Sequence, residues 1–285
     1  MDIALITYVG LPELTEDDRR LLEPLRARGL RPRAVVWDDP GVEWECFRLA
    51  VMRTTWDYFL KPADFLAWLE RVSPRVDVLN PPDVLRWNSH KSYLLELAGK
   101  GIPVTPTVLC PRGRAASLPA LAAERGWGSV VVKPAVSGSG RLTRRFEPER
   151  LVAEGQAHLE AVLAEGDALV QPFLPALHEG GERSYIFFEG VFSHAVVRPR
   201  TMEAPGDTVP DGVALAPRAD EVALSERVLA ATPGRTLYAR VDVATGPDGT
   251  PLLQELEVIE PRLFLGASEG APERLADAIV RYVSR

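Results

Sequence analysis

Lysine is scarce in this sequence. Of its 33 basic residues only four are lysines, at Lys61, Lys91, Lys100 and Lys133, and the others are arginines. A chain that otherwise uses arginine has therefore kept lysine at four places. One of them, Lys133, ends an apolar run and precedes a glycine-rich stretch, which makes it the first position to examine.

Cysteine and long apolar runs are also scarce. Cys46 and Cys110 have no metal-ligand spacing and no nearby histidine, which predicts reduced thiols instead of a zinc site or a disulfide framework. The longest apolar runs have the length of a strand, and no basic N-terminal segment leads into one. We therefore expect no membrane span, no secretory signal and a cytoplasmic location.

Positive charge is in deficit, with a net charge of −7 at pH 7. This balance disfavours non-specific binding to nucleic acid, so a polyanionic ligand must meet a local basic cluster. The chain has 285 residues, of which 46% are hydrophobic and 26% charged. Such a composition is that of an ordinary globular protein with one large core or two to three smaller ones.

Residues 130–141, VVVKPAVSGSGR, join an apolar run to alternating small residues and glycines. Glycines let backbone N–H groups approach a bound anion closely, and Lys133 adds the positive charge that phosphates require. The stretch therefore predicts a loop that covers phosphates. A β-hairpin with a flexible tip is the alternative that these residues leave open.

The N-terminal hundred residues alternate between strand-like and helix-like patterns, which predicts a small parallel sheet with helices on its faces. No GxGxxG follows the first strand, so a dinucleotide fingerprint is absent. Residues 53–58, RTTWDY, follow the third strand, where open parallel sheets expose ligand-binding loops. Arg53 and Asp57 are candidates to orient a polar substrate, whereas Trp56 and Tyr58 are equally compatible with packing.

Lys91 falls in a helix predicted to begin near Asn88 and to end at Gly101. A cation in the first turn opposes the helix dipole, so Lys91 does not stabilise that helix. A nearby phosphate would explain it, and a solvated lysine is the alternative. Further on, residues 168–174, ALVQPFL, form an apolar strand in which Pro172 is expected to end the ladder and free backbone groups for a planar ligand such as adenine. An interdomain linker is the alternative there.

Three carboxylates are predicted to converge near the C-terminus. The strand around Asp242 and the strand around Glu255 and Glu257 are separated by a short turn, and period-two spacing places the two glutamates on one face. Such carboxylates repel one another unless cations hold them, and hard oxygen ligands suit Mg²⁺. The solvent face of a sheet is the alternative. Between these regions, residues 201–218 are rich in Pro, Gly and Asp and predict a loop.

Together these elements resemble the ATP-grasp superfamily over nearly the full length of the chain. The resemblance rests on Lys133 with its glycine loop, the strand VQPFL, the triplet RVD at residues 240–242 and the triplet ELE at residues 255–257. The segments RTTWDY, NPPDVLRWNSHK, GERSYIFF and FSHAVVRPR are most similar to the branch of the O-ureido-D-serine cycloligase.

The resemblance implies a role for each matched residue. Contacts to the nucleotide are implied for Lys91, Lys133, Ser137, Gly138, Ser139, Gly140, Gln171, Phe173, Leu174 and Glu182. Binding of Mg²⁺ is implied for Asp242, Glu255 and Glu257. Stabilisation of charge on the transferred phosphate is implied for Arg240, and contact with the substrate carboxylate or the γ-phosphate for Arg198 and Arg200. Further candidates for substrate contacts are Arg53, Trp56, Asp57 and Glu260.

Two features depart from the pattern of many relatives. Glu257 stands where asparagine is common, so an additional negative charge enters the metal site and the number of ions is open. The strand VQPFL has Pro172 and Phe173 where an acidic residue often binds the ribose, and Glu182 is a substitute that the sequence does not establish.

The sequence thus predicts an α/β ATP-grasp fold in three regions, residues 1–101, 102–174 and 175–285. We expect an ATP- and Mg²⁺-dependent ligase that joins a small-molecule carboxylate to an amine through an acyl phosphate, with ring closure as one form of the reaction. The alternatives are a nucleotide-binding module without ligase chemistry and a small-molecule kinase. No nucleic acid or membrane partner is expected, and association between copies of the chain is left open.

Overall fold

The computed structural model describes residues 1–198 and 212–284. Arg200 and most of the predicted loop 201–218 lie outside the described residues. Three β-sheets organise the described chain, and each draws its strands from one of the three regions predicted above. Within the described residues, no helix has both the length and the apolar character needed to cross a bilayer.

The first sheet is parallel and has the strand order β2-β1-β3-β4. Its elements are β1 (Asp2–Thr7), α1 (Glu16–Arg19), α2 (Leu22–Ala27), β2 (Arg31–Val36), β3 (Leu49–Thr54), α3 (Pro62–Val72) and β4 (Asp77–Leu79). The apolar face of α3 is buried at Phe65, Trp68, Leu69 and Val72, because these positions recur with the helical period. Pro24 lies in the first turn of α2, where its missing N–H costs no helical hydrogen bond.

The prediction that one helix begins near Asn88 and runs to Gly101 is wrong about where that helix begins. Two helices replace it, α4 (Pro82–Asn88) and α5 (Tyr93–Gly99), and Lys91 lies between them. The backbone N–H of Lys91 donates to the carbonyl of Ala135 at 2.8 Å, so tertiary bonding takes the place of a helical turn. Lys91 therefore does not sit in a helical first turn.

The second sheet is antiparallel, in the order β5-β8-β6-β7. Its elements are β5 (Val108–Cys110), α6 (Leu118–Arg125), β6 (Val130–Pro134), β7 (Arg144–Phe146), α7 (Gln156–Glu165) and β8 (Ala168–Pro172). A 3₁₀ turn and a π-helical turn, Leu151–Gly155, lead into α7. Leu118, Val132 and Leu159 share one core on the helix-covered face. Because side chains alternate along a strand, Lys133 projects from the opposite face.

Pro172 does not end its ladder, contrary to the expectation from sequence. It lies opposite Val130, and the next residue, Phe173, donates its N–H to the carbonyl of Ser129 at 2.9 Å. The backbone nitrogen of Pro172, which carries no hydrogen, therefore faces away from β6. It faces the side of β5, whose pairing with β8 stops at Val108, opposite Val170, so no ladder bond is lost.

The third sheet is antiparallel and has the order β11-β10-β9-β12-β13. Its strands and associated helices are α8 (Pro175–Gly180), β9 (Glu182–Phe188), β10 (Val191–Arg198), β11 (Val213–Leu215), α9 (Ala219–Ala230), β12 (Tyr238–Thr245), β13 (Pro251–Glu257) and α10 (Ala271–Val283). Part of the predicted loop 201–218 is thus the strand β11. One core joins Ile3 and Leu5 of the first sheet to Leu275 and Ile279 of α10, so the two ends of the chain pack together.

Strand β13 lies at the edge of this sheet, and residues from outside the sheet satisfy its free backbone groups. The hydroxyl of Tyr93 donates to the carbonyl of Leu256 at 3.0 Å and accepts from its N–H at 2.9 Å. The amide of Asn88 donates to the same carbonyl at 2.8 Å. In the linker that follows α5, the N–H of Thr105 donates to the carbonyl of Leu253 at 2.9 Å, and the carbonyl of Pro103 accepts from the N–H of Leu253 at 2.8 Å. These contacts cover an edge that would otherwise be open.

Candidate active site

Strands β12 and β13 bring the three predicted carboxylates onto one surface. Asp242 lies directly opposite Glu255, and Arg240 lies directly opposite Glu257. The tight turn at residues 246–250 sets this register, because the N–H of Gly246 donates to the carbonyl of Thr250 at 2.8 Å. The convergence predicted from strand spacing is therefore present in the fold.

Basic side chains hold each of these carboxylates. Asp242 accepts from Arg240 at 2.9 Å, from Arg198 at 3.3 Å and from the hydroxyl of Ser184 at 2.6 Å. Glu257 forms an ion pair with Arg240. Among residues 1–198 and 212–284, no three His, Cys, Asp or Glu side chains are grouped closely enough to hold a metal as they stand. The carboxylates thus bond to the protein's own cations in this structure.

The charge balance of the cluster leaves one carboxylate poorly compensated. Burial, with the charges of Asp242 and Glu255, raises the pKa of Glu257 to about 7, although Arg240 opposes this shift. Burial alone would raise the pKa of Asp242, but Arg240 and Arg198 outweigh it and lower that pKa. Excess negative charge and a set of carboxylate oxygens are the features that a hard divalent cation requires, so the residues fit Mg²⁺.

Lys91 joins this cluster to the glycine loop. Its Nζ donates to the carbonyl of Ser137 at 2.7 Å and lies 3.2 Å from the carboxylate of Glu255. Burial would raise the pKa of Glu255, but the charges of Lys91 and Lys133 outweigh it and lower that pKa. Lys91 and Lys133, two of the four lysines in the chain, therefore act on the same carboxylate, beside the loop predicted to cover phosphates.

The glycine loop connects β6 to β7 across an antiparallel pair in which Val131 lies opposite Arg145. The segment is therefore a β-hairpin, and its connection is the loop predicted to cover phosphates. Ser139 and Gly140 have positive φ angles of 51° and 70°, a left-handed conformation that glycine adopts at no steric cost. Gly138 lies against the ring of Phe59.

The residues predicted to line an adenine slot lie at the C-terminal end of β8 in the second sheet. Gln171 is buried and donates to the hydroxyl of Thr107 at 2.8 Å. The guanidinium of Arg145 stacks 3.5 Å from the ring centroid of Phe173. Phe173 and Leu174 line a cavity of about 930 Å³, whose opposite wall includes residues of the β12–β13 turn. Its lining residues do not include Lys91, Lys133 or the three carboxylates. The cavity therefore lies beside the end of β8 and not beside the acidic cluster.

Three guanidinium groups surround the ring of Phe264, at 5.7 Å for Arg198, 5.9 Å for Arg240 and 5.5 Å for Arg262. The sequence analysis did not name Arg262 as a site residue. The one sequence feature that could have suggested it is its position five residues after the ELE triplet. Glu182, the suggested ribose ligand, forms an ion pair with Arg198 at 2.5 Å.

The structure places the remaining substrate candidates unevenly. Arg53 is fully buried and donates to Asp18 at 2.8 Å and to the carbonyl of Pro261 at 2.8 Å. Asp57 is likewise held by Trp37 and Lys61. The polar atoms of both residues thus have partners within the protein, which for Arg53 include Pro261 of the C-terminal region, and contact with a substrate stays a prediction for both.

Trp56 and Glu260, in contrast, lie at the edge of the acidic cluster. The indole N–H of Trp56 donates to the backbone carbonyl of Glu260 at 3.0 Å. Burial and the nearby charge of Glu257 raise the pKa of the Glu260 carboxyl well above its usual range. Glu260 also contributes, with Glu255 and Glu257, to a raised pKa of Tyr58, which burial dominates. The segment around Trp56 therefore faces the acidic cluster.

Comparison with known proteins agrees with this geometry. Residues 3–80 match the family model described as the N-terminal domain of D-cycloserine synthetase DcsG. Over 298 aligned residues, the chain is 32% identical to the cycloserine biosynthesis protein DcsG of Streptomyces lavendulae, with 97% of each sequence covered. The chain belongs to the DcsG-like branch of the ATP-grasp ligases. It is therefore an ATP-dependent enzyme that forms C–N bonds.

Solved structures of ATP-grasp proteins share its fold. The crystal structure of D-cycloserine synthetase DcsG superposes with a TM-score of 0.87 at 29% identity, covering 99% of this chain and 100% of that one. An ATP-grasp RimK-domain protein from Sphaerobacter thermophilus superposes with a TM-score of 0.72 at 23% identity, covering 98% and 100% of the two chains. The fold class and the ligase activity predicted from sequence are thereby confirmed.

Proposed function

We propose that this ATP-grasp ligase uses ATP and Mg²⁺ to activate the carboxylate of a small amino-acid-like substrate as an acyl phosphate, which an amine of the same molecule then attacks to close a ring. The observation that carries the proposal is the meeting of Lys91 with both the glycine loop and Glu255. This contact supports the proposal, because a phosphate bound by the glycine loop would lie close to a cation bound by Glu255. Similarity to DcsG supports ring closure.

The roles of the side chains follow from their charges. Lys91 and Lys133 would bind nucleotide phosphates, with the backbone N–H groups of the glycine loop closing over them. Asp242, Glu255 and Glu257 would hold Mg²⁺, which neutralises charge between the β- and γ-phosphates. Arg240 and Arg198 would bind the transferred phosphoryl group and the substrate carboxylate. Because ATP is the cosubstrate, we infer that the enzyme works in the cytoplasm.

No nucleophilic side chain is required in this scheme. The substrate carboxylate attacks the γ-phosphate, ADP leaves, and the amine then displaces phosphate from the acyl carbon. The protein contributes position and charge neutralisation, which are the main sources of catalysis in phosphoryl transfer. The raised pKa of Glu257 and its pairing with Arg240 are consistent with a site that gains from an added cation.

The first experiment is a screen of D- and L-amino acids that carry a side-chain nitrogen, O-ureido-D-serine among them, for stimulated release of ADP. With an active substrate, hydroxylamine should intercept the acyl phosphate as a hydroxamate that requires both ATP and Mg²⁺. Carboxylate oxygen labelled with ¹⁸O should appear in inorganic phosphate, because that oxygen bridges to phosphorus before the amine displaces it.

Three outcomes would count against the proposal. Release of AMP and pyrophosphate would mean adenylation of the carboxylate. A stable phosphorylated product with no new C–N bond would mean a kinase. ATP binding without turnover in the presence of substrates that meet these criteria would favour a nucleotide-binding module.

A further inference from the structure

The glycine loop has a contact that the phosphate-binding role does not explain. A Cβ placed on Gly138 would lie 2.6 Å from Cε1 and 2.7 Å from Cδ1 of Phe59. Both distances are far shorter than carbon–carbon van der Waals contact. The ring of Phe59 therefore fills the position that a side chain on Gly138 would occupy, and only glycine permits this approach.

Phe59 belongs to the N-terminal region, in the 3₁₀ turn Tyr58–Leu60 between β3 and α3. Its half-buried ring packs edge-on against Tyr58, with centroids 6.0 Å apart, and is part of the N-terminal aromatic core. The turn is fixed because Asp57 accepts from the indole of Trp37 at 2.7 Å and pairs with Lys61 at 2.9 Å. The ring is therefore presented by a supported turn.

The same turn also reaches the third sheet. Trp56, two residues before Tyr58, donates to the backbone carbonyl of Glu260 at 3.0 Å. Residues 56–59, here called the bridging turn, thus contact the strand end beside the acidic cluster and the loop of the second sheet. One turn of the N-terminal region therefore contacts both the glycine loop and the segment after β13.

A second contact, from Lys91, holds the loop at the residue before Gly138. Lys91 donates to the carbonyl of Ser137, next to Gly138, at 2.7 Å. The two residues after Gly138, Ser139 and Gly140, have positive φ angles of 51° and 70° and turn the chain directly after this contact. Phe59 supplies the apolar half of the support and Lys91 the polar half.

We propose that Phe59 is a positioning residue for nucleotide binding: through its contact with Gly138 it sets where the glycine loop lies over the phosphates. The inference rests on the proposed function, since it takes the loop as the phosphate lid. It gives the N-terminal region a part in nucleotide binding, because the position of the loop would depend on a residue outside the second and third sheets.

A double-mutant cycle tests the contact. Gly138→Ala alone should weaken Mg·ATP binding about tenfold, since its methyl group overlaps the Phe59 ring. Phe59→Ala alone should weaken it about fivefold, because the loop loses its support. In the double variant the methyl group has space, so affinity should lie within about twofold of Phe59→Ala. Calorimetry with Mg·ATP measures all four proteins.

Two matched variants separate this contact from other effects. Gly140→Ala has open space around its Cβ but a positive φ, so its cost comes from the backbone and should be the same with or without Phe59. Leu60→Ala removes an exposed side chain, 57% accessible, from the residue after Phe59 and should leave Mg·ATP affinity unchanged.

Limited proteolysis gives a readout that a general loss of stability would not produce. Trypsin can cut the loop after Arg141, whose side chain is 37% exposed. Mg·ATP should protect this bond in the wild-type protein and in Leu60→Ala, but protect it several-fold less in Phe59→Ala. Cleavage at sites outside the loop should be unaffected.

The outcomes are distinguishable. If the effects of Gly138→Ala and Phe59→Ala multiply, or if Phe59→Ala binds Mg·ATP and is protected as the wild type is, Phe59 does not position the loop and the inference is wrong. If the wild-type protein itself binds no Mg·ATP, the proposed function fails instead.

Discussion

Buried charged residues decide the chemistry of the candidate site. Arg240 contacts both Asp242 and Glu257, and Lys91 contacts Glu255, so each carboxylate has a cation of the protein beside it. Removing one member of such a pair leaves the other buried and uncompensated, which is costly. Substitutions that keep shape but change charge are therefore the most informative tests at this scale.

Lys133 is the residue that composition marked first, and Lys133→Ala should weaken ATP binding. Loss of one charge-assisted contact is worth about 1.5–3 kcal/mol, or roughly 10- to 150-fold in affinity. Calorimetry measures the change. Lys100→Ala is the control, because Lys100 lies on the surface and bonds the carbonyl of Ala231. An unchanged ATP affinity in folded Lys133→Ala would remove this lysine from the phosphate site.

Glu255→Gln should abolish turnover and reduce the enhancement of ATP binding by Mg²⁺, because an amide is a weaker ligand for a hard cation than a carboxylate. The unfolding midpoint should change little, since the amide retains the shape of the side chain. Titration of ATP at several Mg²⁺ concentrations measures the enhancement. The exposed Glu226→Gln serves as a matched control. Normal turnover of Glu255→Gln at low Mg²⁺ would show that Glu255 does not bind the cation.

His194 should make stability depend on pH. Its ring is buried and bonds the carbonyl of Leu263 at 2.9 Å, and burial lowers its pKa from 6.5 to about 4. The unfolded chain therefore binds the additional proton between pH 6.5 and pH 4, and stability falls as the pH is lowered through that window. The total loss is roughly 3 kcal/mol.

Urea unfolding of the wild type and His194→Gln at pH 7, 5.5 and 4.5 measures this contribution. The difference in unfolding free energy between the two proteins should shrink as the pH falls, because glutamine does not titrate. A difference that stays constant over this range would show that His194 protonates as readily in the folded protein as in the unfolded chain.

At the scale of elements, strand β13 depends on side chains from the N-terminal half. Tyr93→Phe should lower the unfolding free energy by about 2–4 kcal/mol, because the N–H and carbonyl of Leu256 each lose a bond inside the protein. Urea denaturation measures the loss. Tyr282→Phe in α10 is the control, since Tyr282 is half-buried near the chain's end. A change below about 1 kcal/mol in Tyr93→Phe would mean that other groups satisfy β13.

Elements whose pattern is local were predictable, and elements that depend on distant partners were not. The buried face of α3 and the hairpin of β9 and β10 follow from periodicity and a turn at Glu189 and Gly190. The break between α4 and α5 at Lys91 does not follow from local pattern, because the N–H of Lys91 bonds to Ala135, forty-four residues away in sequence. The continuation of β8 through Pro172 likewise depends on where β5 stops pairing.

The whole molecule joins its first and last regions in one core. Because Ile3 and Leu275 pack in the same cluster, the first and third sheets should unfold together. Mg·ATP at about 100 times its Kd should add about 2.7 kcal/mol of stability and raise the unfolding midpoint by about 5 °C. Scanning calorimetry measures the shift. In Lys133→Ala the same ATP concentration should give a much smaller shift, and equal shifts in both proteins would place ATP elsewhere.

Local sequence pattern was sufficient for most strand and helix segments, for the order of the four ATP-grasp elements and for the opposition of Asp242 and Glu255, since a short turn and the two-residue period are properties of neighbouring residues. Only the tertiary structure decided which cations neutralise those carboxylates, that Arg53 is internal, that Arg262 joins the arginines around Phe264, and that Phe59 rests on Gly138. These contacts join residues far apart in the chain, and local pattern carries no information about which distant surfaces pack together.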